Sequence, residues 1–312
     1  MGPRRVGKTV LLKQLINSIV EDGFPSDAVF FCSIDTPLYS DMRLDELVSL
    51  FEDNSEHDPK GRRIVIFDEI QYLKNWEVHL KVLTDKYPNT RFIASGSAAA
   101  ALRLKSQESG AGRFTEFYLP PLTFSEFLDF VDMERKLINE VTHGTTKRYE
   151  TDQIEILNKY FLDYLNFGGY PEAVLSSELQ ANAPRYLGRD IVDKVLLRDL
   201  PSLYGIQDIP ELNRLFMKIA YHSGQEISLE GLSNSSGIAK NTIKKYLEYL
   251  EAAFLISRVR RVDDSGRTFQ RERNFKVYLT NPSMRAALFA PLDQNDEQMG
   301  SMAETAIFSR LC

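Results

Sequence analysis

The first ten residues of the chain carry a pattern that can bind a phosphate group. The run Gly2-Pro3-Arg4-Arg5-Val6-Gly7-Lys8-Thr9 matches G-x-x-x-x-G-K-[ST] in full. Its glycines let the backbone curl so that successive N–H groups point at phosphate oxygens. Lys8 adds a charge near the β- and γ-phosphates, the Thr9 hydroxyl can ligate Mg²⁺, and a helix starting at Thr9 aims its positive end at the phosphates. The alternative is a chance turn, since the pattern fixes four positions. The predicted binding residues are Gly2, Pro3, Arg4, Arg5, Val6, Gly7, Lys8, Thr9 and Val10.

A second segment supplies an acidic pair. Ile64-Val65-Ile66-Phe67 reads as a buried strand, and Asp68 and Glu69 follow it directly. In open α/β sheets, ligands bind at the carboxyl edge of the strands, where this pair would lie. We expect Asp68 to hold the Mg²⁺ shell and Glu69 to act as the general base on the attacking water. The alternative is an acidic pair exposed to solvent.

Two further positions are candidates for catalysis. Arg91 to Ala94 forms another apolar strand, after which Ser95 or Ser97 would orient the water or sense hydrolysis; alternatively, Ser97 is a helix N-cap. Arg113 would place a guanidinium near developing phosphate charge, in its own subunit or from a neighbouring copy, so a homo-oligomer is left open. Alternatively, Arg113 is a solvent-exposed arginine in a loop, with no catalytic role. Arg4 and Arg5 receive no catalytic role.

The elements around these motifs alternate between strand and helix. Strands are predicted at Ala28 to Ile34, Ile64 to Phe67, Arg91 to Ala94 and Phe114 to Leu119. Helices are predicted at Thr9 to Val20, Leu44 to Phe51, Trp76 to Tyr87 and Ala98 to Leu104. The alternation indicates βαβ units, and therefore an α/β fold with a mostly parallel sheet and helices on both faces.

The pattern changes after Pro120-Pro121. A helix is predicted from Thr123 to Val131, with Thr123 as N-cap and Glu126 completing a capping box. A polar linker or exposed helix follows to Asp152, and helical spacing then continues from Ile154 to about Tyr221. These changes divide the chain into a phosphate-binding core (1–131), a helical region (132–210), a winged-helix unit (211–281) and a final segment (282–312).

The winged-helix unit is predicted from three helices and a β-hairpin. One helix spans Ile227 to Ser235 and a second spans Ala239 to Ala252; the wing strands are Phe254 to Val262 and Phe275 to Leu279. Basic residues are concentrated in the second helix and the wing: Lys240, Lys244, Lys245, Arg258, Arg260 and Arg261. A helix in the major groove with cations on the phosphates would bind DNA. Alternatively, the unit docks another protein or subunit.

Composition excludes several classes of protein. The chain has 312 residues and a formal net charge of −6, so it is not a uniformly basic nucleic-acid binder. Two cysteines, Cys32 and Cys312, support neither a disulfide framework nor a cysteine zinc cluster. With no apolar run of membrane-spanning length and no signal-peptide pattern, we expect a cytoplasmic protein that does not enter the membrane.

Five motifs in order resemble those of a known family. They are the phosphate loop, Phe67-Asp68-Glu69-Ile70-Gln71, Ser95-Gly96-Ser97, Gly112-Arg113-Phe114, and the run Leu119 to Phe127. The combination resembles prokaryotic AAA-type ATPases, which are similar to STAND-like P-loop ATPases. The resemblance implies ATP and Mg²⁺ as ligands. It also implies a C-terminal region of unknown function with a helical part, a winged helix and a restriction-endonuclease-like fold.

The chain departs from that family in two places. Only Met1 precedes the phosphate loop, whereas in the family a central strand does, lying between the strands at Phe114 and Arg91. We therefore expect a P-loop sheet that lacks its first strand, in a chain truncated or started at the wrong methionine. The resemblance also implies that residues 282–312 are the start of a truncated nuclease-like domain. The chain ends inside a helix from about Met302, so no nuclease site is assigned and Glu304 alone indicates none.

Three functions follow from these patterns. The leading hypothesis is a Mg²⁺-dependent ATPase that acts as a switch or motor coupled to its C-terminal domains. The second is a DNA-binding regulator that uses a nucleotide to set its conformation. The third is an inactive truncated remnant whose sheet is incomplete.

Overall fold

A computed structural model describes residues 1–39, 42–58, 60–96, 114–143, 146–260 and 274–311. The predicted helix Ala98 to Leu104 lies outside these residues. The chain forms two compact units, Met1–Leu119 and Pro120–Cys312, and the finer boundaries predicted from sequence remain predictions. Within the described ranges, no helix combines the length and the apolar composition needed to cross a bilayer.

The first unit is built around a parallel sheet. Its strands are β1 (Val29–Ser33), β2 (Arg63–Asp68) and β3 (Thr90–Ala94). Among the described residues they pair in the order β1-β2-β3, with Ser33 opposite Asp68 and Phe67 opposite Ala94. Its helices are α1 (Lys8–Glu21), α2 (Leu44–Asn54) and α3 (Trp76–Lys86), and 3₁₀ turns span Ser26–Ala28 and Ile70–Tyr72. The predicted parallel α/β architecture is confirmed; helices on both faces remain a prediction.

An apolar core packs against β2, which lies between β1 and β3 among the described strands. Val65 and Phe67 are buried in one cluster with Leu47 of α2 and with Trp76 and Leu80 of α3. A strand covered in this way reads as a continuous apolar run, because little of it faces water. Trp76 is 4% exposed, as expected for a side chain that packs its helix on the sheet. The core thus fixes the strand whose carboxyl end carries Asp68.

The predicted strand from Phe114 to Leu119 is wrong as a regular strand. Residues 114–120 form no helix or strand, although Leu119 N–H donates to the Met1 carbonyl at 2.7 Å. The Met1 amino group donates in turn to the Phe117 carbonyl at 2.5 Å. A regular strand needs a ladder of successive backbone partners, whereas these two backbone bonds both involve Met1.

The second unit begins with the predicted capping box. Helix α4 (Phe124–Phe130) follows Thr123, whose hydroxyl accepts from Glu126 N–H at 3.2 Å, while Glu126 Oε2 accepts from Thr123 N–H at 2.8 Å. A short helix α5 (Glu134–Leu137) comes next. The expected linker or exposed helix is wrong, because strands β4 (Asn139–His143) and β5 (Thr146–Glu150) form an antiparallel hairpin. Thr and Val in β4 favour a strand over a helix.

Helices then dominate, as the apolar spacing predicts. They are α6 (Ile154–Asp163), α7 (Pro171–Leu175), α8 (Ser177–Ala181), α9 (Ala183–Leu187) and α10 (Leu200–Tyr204), and π-helical turns span Tyr164–Gly168, Gly188–Asp193 and Val195–Asp199. Gly169 lies in the turn before α7, and packing excludes a larger residue there. A Cβ there would lie 2.1 Å from Asn281 Nδ2, so no larger residue fits beside the buried Asn281.

The last third joins helices to a small sheet. Its elements are α11 (Ile209–Tyr221), β6 (Glu226–Ser228), α12 (Leu229–Ser236), α13 (Lys240–Ala252), β7 (Ile256–Arg260), β8 (Asn274–Leu279), α14 (Ser283–Leu288) and α15 (Met299–Leu311). Within the described residues the strands pair antiparallel in the order β6-β8-β7. The predicted helices and the antiparallel pair of wing strands are present, but the predicted start of the first helix at Ile227 is wrong. Ile227 lies in β6, and the helix begins at Leu229. Strand β6 was not predicted, since Glu226 to Ser228 is too short to show a period of two.

The capping box provides a test of the second unit. Thr123→Ala removes the hydroxyl that accepts from Glu126 N–H, and we expect it to lower the free energy of unfolding by about 1 kcal/mol. Thr123→Ser keeps a hydroxyl and should lose much less. Urea unfolding of the three proteins measures the difference; equal losses in both variants would contradict a capping role.

Candidate functional site

Two strand ends meet at the carboxyl edge of the parallel sheet. Asp68 ends β2 and Ser95 follows β3, and their exposed fractions are 1% and 6%. The backbone holds them in register: Ser95 N–H donates to the Phe67 carbonyl at 2.9 Å, and Ile70 N–H donates to the Ser95 carbonyl at 2.9 Å. The edge therefore presents a buried carboxylate and a buried hydroxyl from adjacent strands.

The phosphate loop is curled by residues in left-handed conformations. Gly7 has φ 94° and Arg5 has φ 63°. The second value is uncommon for a residue with a side chain. Gly2 is required for a different reason, because a Cβ at this position would lie 2.2 Å from the Leu119 carbonyl oxygen. Val6, 5% exposed, anchors the loop. Helix α1 begins at Lys8, one residue earlier than predicted, and its first N–H groups have no intrahelical acceptor.

A single carboxylate joins the loop to the sheet. Thr9 Oγ1 donates to Asp68 Oδ2 at 2.6 Å, although the two residues are 59 positions apart. The Ser95 hydroxyl donates to the other oxygen, Asp68 Oδ1. Both oxygens of the buried Asp68 thus accept a hydrogen bond, as a charge removed from water requires. The structure brings together three residues that the sequence predicted separately.

Lys8 lies buried at the same place. Its ammonium donates to the Gly2 carbonyl at 3.1 Å and to the Pro3 carbonyl at 2.6 Å, and the residue is 8% exposed. Burial lowers the pKa of Lys8 from 10.5 to about 8; the charges of Glu69 and Asp68 oppose this shift, and that of Arg4 adds to it. Burial therefore makes the charged form of Lys8 unfavourable, and a bound anion would stabilise it.

Glu69 stands at the turn that follows β2. Its φ of 55° is left-handed, and its N–H lies 3.5 Å from Ser95 Oγ. The Gln71 side-chain amide donates to Glu69 Oε2. Arg4 of the phosphate loop donates to the Tyr72 hydroxyl at 3.0 Å. Sequence reasoning gave no role to Gln71 or Tyr72, and a polar residue two or three positions after an acidic pair is too weak a signal to find them.

Not every predicted binding or catalytic residue is in this cluster. Val10 and Arg5 are exposed, with Val10 at 58%. Ser97 and Arg113 lie outside the described residues, so their predicted roles remain predictions. Ser95 is in the cluster, but its hydroxyl is directed at Asp68.

The oxygen donors of the site fit a small divalent cation. Mg²⁺ prefers oxygen ligands and usually takes one or two protein groups together with phosphate oxygens. Thr9 Oγ1 and Asp68 Oδ2 are adjacent at 2.6 Å and match that donor set. No group of three or more His, Cys, Asp or Glu side chains in the described part of the chain could hold a metal ion by itself. A cation here would therefore depend on a bound phosphate.

Residues 1–128 match the family model of an AAA domain. The match covers the phosphate loop, the acidic strand end and the strand that leads to Ser95, so this part of the chain is similar to nucleotide-binding domains of the AAA type. Residues 158–297 match a domain of unknown function, DUF8612. The candidate site thus lies within residues 1–128, and the domain matched by residues 158–297 has no stated activity.

The similar curated proteins are themselves uncharacterized. One from Methanocaldococcus jannaschii is 29% identical over 260 residues, which are 82% of this chain and 54% of the relative. One from Haemophilus influenzae is 25% identical over 292 residues, 91% of this chain and 67% of the relative. A second M. jannaschii protein is 27% identical over 268 residues, 83% of this chain and 55% of the relative. The chain therefore spans about half to two thirds of the length of these relatives.

The second matched region carries the predicted DNA-binding cations. Lys240, Lys244 and Lys245 are exposed on α13, and Arg260 is exposed at the end of β7. Arg258 differs from the prediction: its side chain is 6% exposed and forms an ion pair with Glu251 of α13. Its guanidinium also lies 5.9 Å from the Phe275 ring centroid. Arg258 therefore joins β7 to α13 and is not on the basic surface. Arg261 lies outside the described residues.

The lowered pKa of Lys8 predicts a pH dependence of stability. Between pH 8 and about 10.5 the unfolded chain still holds the Lys8 proton and the folded protein does not. The free energy of unfolding therefore rises with pH across this window, and the contribution is lost as the pH falls through 8. Relative to Lys8→Met, the wild-type protein should become more stable from pH 7 to pH 10.

Urea unfolding at pH 7, 8, 9 and 10 measures this difference. Lys13→Met is the matched control, because Lys13 is exposed on the same helix. If the Lys8→Met difference changes with pH no more than the Lys13→Met difference does, the buried ammonium does not have a lowered pKa.

Proposed function

We propose that the chain is a Mg²⁺-dependent ATPase whose nucleotide cycle acts as a switch or motor for its C-terminal region. The observation that carries this proposal is the bond from Thr9 to Asp68, which brings the phosphate loop and the acidic strand end to one place. The AAA-domain match over residues 1–128 supports a nucleotide as the ligand. ATP rather than GTP follows from the resemblance to AAA-type ATPases.

The residues of the site have separable roles in this proposal. Lys8 and the first N–H groups of α1 bind the β- and γ-phosphates, and the triphosphate repays the cost of burying the lysine charge. Thr9 and Asp68 would hold Mg²⁺, which supplies charge neutralisation at the phosphates when bound. Ser95 holds the Asp68 carboxylate through its hydroxyl. It thus supports Asp68 directly, and a role in sensing hydrolysis would act through that bond.

Glu69 is the general base in the proposed reaction. It takes a proton from water as the water oxygen attacks the γ-phosphorus, and the bond from that phosphorus to the bridging oxygen breaks toward ADP. Glu69 is suited to this task because it lies beside Asp68, at the edge where the γ-phosphate would be held, and is less buried than Asp68. An Arg113 guanidinium near the developing charge remains part of the proposal.

Measuring Mg²⁺-dependent ATP turnover on the full chain tests the proposal. Lys8→Ala should weaken ATP binding, because the point charge on the phosphates is lost. Glu69→Gln should bind ATP with nearly unchanged affinity and hydrolyse it about 10²–10⁴-fold more slowly, the usual loss for a general base. Equal turnover by wild type and both variants would rule the proposal out.

A second function, nucleotide-regulated DNA binding, is favoured by the basic surface of α13. Helices α11, α12 and α13 with the sheet β6-β8-β7 support a winged-helix interpretation. Lys240, Lys244 and Lys245 would meet the phosphates of a duplex. The Lys240 ammonium lies 3.4 Å from Glu230 Oε1. DNA binding would replace this surface ion pair with a contact to a phosphate. Docking of a protein or subunit through the same surface is the alternative.

The salt dependence of duplex affinity tests this second function. The double variant Lys244→Ala/Lys245→Ala should weaken binding and reduce the slope of log affinity against log salt by about 2, one unit for each lost phosphate contact. Lys136→Ala/Lys159→Ala removes the same charge from other exposed positions in the second unit. If the two double variants bind DNA equally well, α13 is not the DNA-binding surface.

A further inference from the structure

The 3₁₀ turn after the acidic pair holds the side chain of Glu69. Gln71 lies in the middle of this turn, and its amide nitrogen donates to Glu69 Oε2. The bond joins residues two positions apart. Glu69 has a left-handed backbone conformation, with φ 55°, and the 3₁₀ turn begins at the next residue. The contact is therefore made from a left-handed residue to the turn that follows it.

The backbone around Gln71 is fixed from both sides. Ile70 N–H donates to the Ser95 carbonyl at 2.9 Å, which ties the start of the turn to the end of β3. Tyr72 N–H donates to the Glu69 carbonyl at 3.2 Å, and Leu73 N–H donates to the Ile70 carbonyl at 3.0 Å. Because the turn cannot shift without breaking these bonds, the backbone of Gln71 is held relative to the sheet edge, and its side-chain amide reaches the Glu69 carboxylate from that fixed position.

A general base gains from such a restraint. A glutamate side chain loses up to about 2 kcal/mol of rotamer free energy when it is fixed in one orientation. A hydrogen bond formed before the substrate binds meets this cost in advance, which is how positioned groups accelerate a reaction. An amide also has the right polarity, since its N–H donates to a carboxylate and leaves the negative charge in place.

We propose that Gln71 is a positioning residue for Glu69. Its amide holds Oε2 so that the other oxygen, Oε1, takes the proton of the attacking water, while the electron pair of the broken phosphorus–oxygen bond stays with ADP. The inference rests on the proposed ATPase function and assigns Gln71 a part in it. Gln71 acts through Glu69 and has no direct contact with the reacting atoms.

Substitution of Gln71 separates positioning from ATP binding. Gln71→Met keeps the length of the side chain but has no donor, and it should lower kcat for Mg²⁺-dependent ATP turnover about tenfold to a hundredfold, the range for a misplaced catalytic group. KM and the Kd for ATP should stay within about twofold, because the proposed role of Glu69 is exerted in the transition state and adds nothing to the binding of ATP in the ground state. Gln14→Met is the matched control, because Gln14 is an exposed residue of α1. It should leave kcat, KM and Kd unchanged.

A second variant protects the test against a folding defect. Gln71→Glu is nearly isosteric but places a carboxylate where the donor was, so it should lower kcat at least as far as Gln71→Met. Thermal melting identifies a variant that has not folded. A folded variant with wild-type or higher kcat overturns the inference, since Gln71 would then contribute nothing to catalysis or would hinder it.

A double-mutant cycle distinguishes positioning from a general structural role. In a Glu69→Gln background the carboxylate is absent, so adding Gln71→Met should cause no further loss of turnover. A loss of the same size in both backgrounds would overturn the inference. If Glu69→Gln itself turns over ATP at the wild-type rate, the proposed function fails. If Glu69→Gln is slow but Gln71→Met is not, only the positioning role of Gln71 fails.

Discussion

The buried carboxylate of Asp68 is the interaction on which the site depends. Asp68 is 1% exposed, and each of its oxygens accepts a hydrogen bond, one from the Thr9 hydroxyl and one from the Ser95 hydroxyl. These partners come from the phosphate loop and from the residue after β3, so one side chain joins three separate segments. A buried carboxylate without partners would be strongly unfavourable, and this cost is what brings the loop and both strand ends together.

The same cluster keeps opposite charges close without neutralising them completely. Lys8 is bound to two carbonyl oxygens of its own loop, and burial lowers its pKa to about 8 in spite of the carboxylates of Asp68 and Glu69. The loop is also held in an uncommon conformation at Arg5. A buried cation and an uncommon backbone conformation in one loop support the proposal that an anionic ligand, a triphosphate, binds here.

The second unit illustrates that net charge and residue type do not define a surface. Six basic residues between positions 240 and 261 suggest one continuous patch. The fold separates them: the lysines of α13 are exposed, whereas Arg258 is paired with Glu251 and packed near Phe275. Arg258 is positioned to hold β7 against α13, and therefore contributes to the shape of the unit more than to its charge.

The sequence by itself determined the features that depend on local pattern. The phosphate loop, the acidic end of β2, the parallel strands and the capping box of Thr123 follow from spacing, apolar runs and propensity, which neighbouring residues set. Tertiary structure alone decided that Gln71 contacts Glu69, that Arg258 is buried, and that residues 139–150 pair as a hairpin. Each of these features depends on where the backbone changes direction or on which strand lies beside another. Packing and hydrogen bonds between residues distant in the sequence determine both, and sequence periodicity does not encode them.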